Sequence, residues 1–340
     1  MTIFERLYLA GYSIKKRYKL NNRKKLPCKV ISIGNITLGG TGKTPAAIAL
    51  AQKAHGNGFR PCILTRGYRG TAKGPCFVGM GDGPLLDENR AGDEAYLMAL
   101  KLKGIPVIKG KDRYEAGIFA LNNLPADFRP DLFILDDGFQ HWGLCRDNDI
   151  LLIDGTNPFG NGKLFPVGSL REPVSGISRA DMIVITKKDG SRDLKTDGVL
   201  EEIRKYNKKA PVFFAVHRPS RFIAVNGESF PLEWAKGKVF FGFCGIGNPL
   251  SFQQTLASAG AELAGLRTFR DHYRYSQKDI KTIADEAGER NAGWIVTTEK
   301  DIMRLKGFVL PENLASLEIE FDVEEKFYHK VFMEIQNKKD

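Results

Sequence analysis

Thr37-Leu38-Gly39-Gly40-Thr41-Gly42-Lys43-Thr44 lies between the apolar run Cys28 to Ile33 and a helical pattern from Pro45 to Ala54. A buried strand, a glycine-rich turn and Lys-Thr at a helix start are the context of a phosphate-binding loop. Glycines let backbone N–H groups converge on phosphate oxygens, because a Cβ would block the approach. Lys43 would carry positive charge to the β- and γ-phosphates, and the Thr44 hydroxyl would ligate Mg²⁺. The helix adds the partial positive charge of its N-terminus. The usual pattern GxxxxGK[S/T] has glycine where this chain has Thr37, while Gly39 and Gly40 keep the loop's freedom.

Working outward, short apolar runs alternate with helical patterns, which predicts parallel strands joined by helices. The expected strands are Cys28 to Ile33, Pro61 to Thr65, Leu132 to Leu135, Ile150 to Ile153 and Met182 to Thr186, each apolar enough to be buried on both faces. Pro45 to Ala54 and Asp93 to Lys101 read as helices. After about Pro211 the texture changes to strand and tight turn, with Val212 to Val216, Phe222 to Val225, Asn226-Gly227 and Phe230. A second α/β cycle follows: strand Val239 to Cys244, helices Pro249 to Ala259 and Lys278 to Ala287, strand Trp294 to Thr297, and a last strand from Ser316 to Val323. The expected fold is therefore α/β: a P-loop NTPase-like parallel-sheet domain and a smaller α/β domain, joined by a short β-rich linker. The expected boundaries are a basic amphipathic segment at 1–25, the P-loop domain at 26–211, linker at 212–233 and 316–325, and the smaller domain at 234–315.

The 340 residues suit two domains, and 42% hydrophobic with 27% charged residues is ordinary for a globular chain. No run approaches the roughly 20 apolar residues of a spanning helix, and no secretory signal is expected. The 5 cysteines are dispersed, without zinc or redox spacing. The net charge of +11 calls for an anionic partner. Lys15, Lys16, Arg17, Lys19, Arg23, Lys24 and Lys25 concentrate it near the N-terminus. Phe4, Leu7, Tyr8, Gly11 and Ile14 just before them recur at helical spacing. An apolar stripe beside a basic segment fits an interfacial membrane helix, or else a helix docked on the core with a solvated basic tail.

Leu132 to Leu135 runs into Asp136-Asp137. Beside a phosphate loop such carboxylates orient Mg²⁺; alone they would also serve to cap a helix. Gln140 and His141 follow, at a strand's C-terminal end where open α/β sheets bind ligands. Asp93 begins a helical pattern, so it reads either as an N-cap or as a group accepting an alcohol's proton. His272, in Asp271-His272-Tyr273, is open to the same two readings, structural or catalytic.

Together the motifs resemble the tetraacyldisaccharide 4′-kinase family over nearly the whole chain. The resemblance rests on Ser32-Ile33-Gly34-Asn35 through Thr44-Pro45, Thr65-Arg66-Gly67-Tyr68, Ala91-Gly92-Asp93-Glu94 and Asp136-Asp137-Gly138-Phe139-Gln140-His141. It continues in Phe159-Gly160-Asn161-Gly162, Pro166 through Arg171-Glu172-Pro173, Asp271-His272-Tyr273 and Thr298-Glu299-Lys300-Asp301. The loosened loop at Thr37 also matches the family.

The resemblance implies transfer of the ATP γ-phosphate to the 4′-hydroxyl of an acylated glucosamine disaccharide 1-phosphate, giving lipid IVA. It implies Asp93 and His272 as a proton-accepting dyad assembled by domain closure, with Mg²⁺ held by Thr44, Asp136, Asp137 and Glu172. It makes Arg171 a phosphate clamp, and Arg66 and Arg113 substrate contacts, alongside Gln140 and His141. A lipid acceptor places the enzyme peripherally at an anionic membrane surface, the cytoplasmic face of the bacterial inner membrane. No nucleic-acid and no obligate protein partner is expected. The competing expectation is a GTPase or nucleotide switch, because Thr186-Lys187-Lys188-Asp189 is similar to a guanine-reading motif.

Overall fold

Thr2 and Glu5 start the first helix by exchanging hydrogen bonds, the Thr2 side chain accepting from Glu5 N–H and the Glu5 carboxylate from Thr2 N–H. This computed structural model describes residues 2–187 and 194–337. The chain divides into two units, residues 1–216 with 321–340, and residues 217–320.

In the first unit the strands are β1 (Lys29–Gly34), β2 (Pro61–Thr65), β3 (Cys76–Gly79), β4 (Val107–Lys109), β5 (Leu132–Asp136), β6 (Asn148–Asp154), β7 (Met182–Lys187) and the opening part of β8 (Val212–Ala224). Their order is β3-β4-β2-β5-β1-β6-β7-β8, all parallel except β3. The helices are α1 (Ile3–Asn21), α2 (Lys43–Gly56), α3 (Glu88–Ala91), α4 (Asp93–Lys101), α5 (Arg113–Asn123), α6 (Leu194–Tyr206) and, after the second unit, the C-terminal helix Glu325–Asn337. Central β1 lies between β5 and β6, so the strand order reverses there, and the chain leaves β1 directly into the glycine-rich loop. Such a switch point opens a crevice at the strands' C-terminal ends. Helix α2 buries Ala46, Ala47, Leu50, Ala51 and Ala54. The alanines let it sit close to the sheet. At the end of β1, a Cβ on Gly34 would come within 2.6 Å of the Phe139 Cβ, so glycine is what lets the segment after β5 close over the loop's base.

In this unit the sequence pattern missed β3, β4, α3, α5, α6 and the C-terminal helix. That last helix buries Phe327, Tyr328, Val331, Phe332 and Ile335 at helical spacing and stacks Phe332 on Phe59. The expected N-terminal stripe is real but splits in two. Tyr8 and Leu9 pack on the core cluster built on Ile36, Phe139 and Leu164. Ile3, Phe4, Leu7, Ile14 and Tyr18 stand exposed, Leu7 at 66% and Ile14 at 72%. Tyr8 thus belongs to the inward face, because its hydroxyl has a backbone acceptor there, the Arg171 carbonyl at 2.7 Å.

In the second unit, β10 (Val239–Cys244) runs parallel between β11 (Glu262–Thr268) and β12 (Trp294–Thr298), and β12 pairs with β13 (Leu314–Val323). The later part of β8 joins β13 and carries the antiparallel β9 (Ser229–Pro231). Alternate β10 side chains feed two cores. Phe240 and Cys244 pack with Phe252 and Leu256 of α7 (Pro249–Ser258), and Phe241 and Phe243 with Ile280 and Ile283 of α8 (Gln277–Glu289). Helix α9 (Glu299–Met303) follows β12, and the C-terminal helix of the first unit is α10.

Candidate active site

Thr37 takes its place in the loop as an extended residue. It bridges antiparallel to Leu170, and the next residue, Leu38, donates its N–H to the Ser169 carbonyl. The only described non-glycine residues with positive φ are Arg69, Asp137, His272 and Asn291. A glycine is therefore not needed at Thr37, which is why the loosened motif folds. Gly42, at φ 79°, caps α2. Lys43 and Thr44 form its first turn with Thr44 buried, and the Thr41 hydroxyl is buried without a hydrogen-bond partner.

Strand β5 brings the carboxylates alongside. Asp136 ends the strand in register with Ile33 of β1. One Asp136 oxygen accepts from the Thr65 hydroxyl at 3.0 Å, and the other is buried without a partner. Burial first, then the charges of Glu94 and Asp137, push its carboxyl up to about 7, with Lys43 pulling the other way. Asp137 bends the chain, with φ 50°. Burial opposes its charge, but Lys43 at 3.6 Å and Arg171 outweigh burial and hold its carboxyl below the ordinary range. Burial also lowers Lys43, against the pull of Asp137.

Asp93 is the first residue of α4, and the N-cap is Gly92 at φ 90°. A Cβ on Gly92 would meet the Tyr68 carbonyl at 2.4 Å, so the cap role open to Asp93 falls to glycine. Glu94, absent from the sequence-level site, acts electrostatically on both Lys43 and Asp136.

Several expected ligand residues are engaged in holding the site together. Both oxygens of fully buried Glu172 are occupied: Arg179 meets them in a fork at 2.5 and 2.7 Å, Tyr12 donates at 2.7 Å and Gln140 at 2.6 Å. Such a carboxylate has little capacity left for a metal, and the metal role expected of Glu172 is corrected to that of an anchor. Gln140 also donates to the Asn35 carbonyl at 2.7 Å. Arg113 is buried, donating to the Gly110 and Asp136 carbonyls, so it braces the strand end instead of reaching out to substrate. His141 accepts from Arg113 N–H at 3.4 Å, and burial, then the Arg113 charge, lower it to about 4. Arg66 is exposed just beyond β2. Arg171 Nη1 is bound to Asp137 at 2.8 Å, while its Nε is buried and unpartnered.

The second unit holds His272, with φ 57°. Arg304 Nη2 lies 3.2 Å from His272 Nδ1, and the His272 N–H donates to the Gly245 carbonyl.

No group of three or more acidic, histidine or cysteine side chains among the described residues forms a metal cage. The donor set at the loop is instead hard oxygen and sparse: the Thr44 hydroxyl and the orphaned Asp136 oxygen. That suits Mg²⁺, which keeps most of its shell for water and phosphate.

A phosphate loop leaving the central strand, with Lys43 set against a carboxylate pair on the neighbouring strand, defines a P-loop nucleotide-binding protein. The family model described as "Tetraacyldisaccharide-1-P 4'-kinase" matches residues 1–336. The tetraacyldisaccharide 4′-kinase of Syntrophus aciditrophicus is 37% identical over 348 residues, 97% of this chain and 91% of that protein. That of Halothermothrix orenii is 39% identical over 320 residues, 89% and 82% respectively. The crystal structure of LpxK from Aquifex aeolicus in complex with ATP has a TM-score of 0.77 at 31% identity, covering 98% of this chain and 97% of that one. The chain belongs to the tetraacyldisaccharide 4′-kinase family and is a kinase. Membership overturns the GTPase expectation; Lys188 and Asp189 of its motif lie outside the described residues, and Thr186, within β7, donates its hydroxyl to the Ile153 carbonyl.

Proposed function

We propose that the chain transfers the γ-phosphate of ATP to the 4′-hydroxyl of a tetraacylated glucosamine disaccharide 1-phosphate, giving lipid IVA. The observation that carries this reading is the pairing of the loop's Lys43 with Asp137 beside an Asp136 oxygen left without a protein partner. Residues 37–44 hold the phosphates. Thr44 and Asp136 hold Mg²⁺, which would neutralise charge developing on the β- and γ-oxygens when bound. Asp137 positions Lys43 and Arg171, and the free Nε–H of Arg171 is available to a phosphate oxygen. Asp93 takes the hydroxyl proton with His272 as its partner in the dyad. Arg66 contacts the anionic acceptor.

The enzyme works peripherally at the cytoplasmic face of the inner membrane. No described helix is long and apolar enough to cross a membrane. The exposed stripe Ile3, Phe4, Leu7, Ile14 and Tyr18, flanked by Lys15 and Arg17, supports attachment in the interface plane. Transfer from labelled ATP to the disaccharide acceptor tests the reading, comparing the parent with Asp93→Ala and His272→Ala. The parent transfers phosphate and both variants lose roughly 10²-fold or more in kcat. Near-parental turnover by either variant removes that residue from the dyad.

A further inference from the structure

The motif Thr298-Glu299-Lys300-Asp301 has no part in the chemistry so far, yet its aspartate is among the most completely satisfied groups of the second unit. Asp301 is fully buried. Its Oδ2 accepts from the Thr298 hydroxyl at 2.7 Å and Gly245 N–H at 3.0 Å, and its Oδ1 from the Tyr275 hydroxyl at 3.1 Å and Arg304 Nη1 at 2.8 Å. Arg304 Nη1 also donates to the Gly245 carbonyl at 3.1 Å, the carbonyl that receives His272 N–H. The guanidinium is thereby fixed in plane on one edge by a carboxylate and a carbonyl. Its other edge meets His272 Nδ1 at 3.2 Å.

A guanidinium in a protein donates and never accepts. A ring nitrogen held against it must present its lone pair, which places the proton of the neutral imidazole on Nε2. The opposite ring edge, Nε2, is 3.9 Å from Asp271. The positive φ of His272 aims the ring from a backbone region that side chains rarely occupy, so the surrounding bonds have to impose it.

We infer that Arg304, held by Asp301, is a positioning residue that locks His272 in its Nε2–H tautomer, so that His272 serves as a hydrogen-bond donor and not as a base. The inference deepens the proposed dyad and rests on that reading for its catalytic meaning. In that scheme the carboxylate alone accepts the hydroxyl proton, and the imidazole contributes only its Nε2–H. Thr298, Tyr275 and Gly245 then have a common purpose, which is to hold Asp301 in place beneath Arg304.

The test uses the full chain with ¹⁵N-labelled histidine and two-bond ¹H–¹⁵N correlation spectra, the His272 signals being assigned by their loss in His272→Ala. Arg304→Met removes the donor. Arg304→Lys keeps a charge for Asp301 but lacks the planar fork that reaches Asp301 and His272 together. The parent shows an unprotonated Nδ1 and a protonated Nε2. In either variant that melts as a cooperative fold, the Nδ1–H tautomer becomes populated. Phosphate-transfer kcat falls roughly tenfold, part of the 10²–10⁴ a positioned acid–base group supplies, with KM for ATP unchanged. A folded variant in which His272 keeps the Nε2–H tautomer alone overturns the inference, and so does a changed tautomer with parental kcat. His272→Ala separates the two levels, because parental turnover there sinks the dyad whatever the spectra of the Arg304 variants show.

Discussion

Arg171 grips Asp137 through one nitrogen: Nη1 lies 2.8 Å from both carboxylate oxygens. Asp137 thereby offsets two cations, Arg171 and Lys43, and the contact fixes a residue whose backbone sits at φ 50°. Lys43 is thus tethered before any phosphate arrives, with part of its orientational entropy already removed.

Arg171→Met should therefore act on Lys43 through Asp137. Expected is a loss of roughly tenfold or more in kcat/KM for ATP, about 1.4 kcal/mol of transition-state stabilisation. Arg171→Lys should recover only part of it, since an ammonium can meet Asp137 but lacks the additional Nε–H of the guanidinium. Steady-state kinetics with ATP as the varied substrate measures both. A Met variant within twofold of the parent would show that Asp137 holds Lys43 unaided.

The pH behaviour of Asp136 has a definite sign. Its folded carboxyl, raised to about 7 by burial, lies above its unfolded value, so the ligand-free protein loses stability as pH rises towards 7. Asp136→Asn removes that loss. Without ATP or Mg²⁺ at pH 8 its Tm should exceed the parent's by about 2 °C or more, the gain shrinking as pH falls towards 4. The same variant should lose Mg²⁺-dependent ATP binding. Calorimetric melts across pH check the first effect, and equal melts at pH 8 would refute it.

Glu172→Gln tests the correction made above. Removing the charge leaves Arg179 partly buried beside a neutral amide, and breaking such a pair costs about 3 kcal/mol. Mg²⁺-ATP affinity, measured by calorimetry at low temperature on the folded variant, should change less than about twofold, below ~0.4 kcal/mol. A tenfold weaker Mg²⁺ dependence would restore Glu172 to the metal set.

Leu7→Glu with Ile14→Glu should leave the melt within about 0.5 kcal/mol of the parent, because both side chains are exposed. Sedimentation with vesicles containing anionic lipid should fall sharply. Parent binding should weaken with salt, since each Lys or Arg near the surface contributes about 1 kcal/mol. Undiminished vesicle binding would remove α1 from the membrane contact.

What could be read without coordinates follows a physical line. The strands β1, β2, β5, β6 and β7 were visible because strands buried on both faces must be continuously apolar. The loop was visible because backbone approach to phosphate dictates glycine and a helix start dictates where Lys43 sits. Strands β3 and β4 are 4 and 3 residues long and carry too little pattern to stand out. The C-terminal helix α10 follows a strand in the sequence, and its return to the first unit depends on long-range packing such as Phe332 on Phe59. The roles of side chains were hardest. Nothing in the order Arg171-Glu172 tells that one residue braces Asp137 and the next is saturated by Arg179 and Tyr12. Those partners lie 7 and 160 residues away in sequence from Glu172. Glu94 was in plain view beside Asp93, but its pull on Lys43 and Asp136 appears only once α4 is set against β5.

Helix α1 is fastened to the first unit by three polar bolts on one side. Glu5 accepts from Leu164 N–H, Tyr8 donates to the Arg171 carbonyl, and Tyr12 donates to Glu172. Two of them land on the residue that grips Asp137 and on its neighbour. The exposed face of α1, proposed above as the membrane contact, and the strap beside the phosphate loop are therefore tied into one piece, like the foot and the arm of a clamp. On that proposal, the angle at which the helix lies in the lipid headgroups would set the tilt of the nucleotide site against the membrane plane. Rotating α1 by a single residue's worth of twist would unfasten the bolts before it could re-aim the foot.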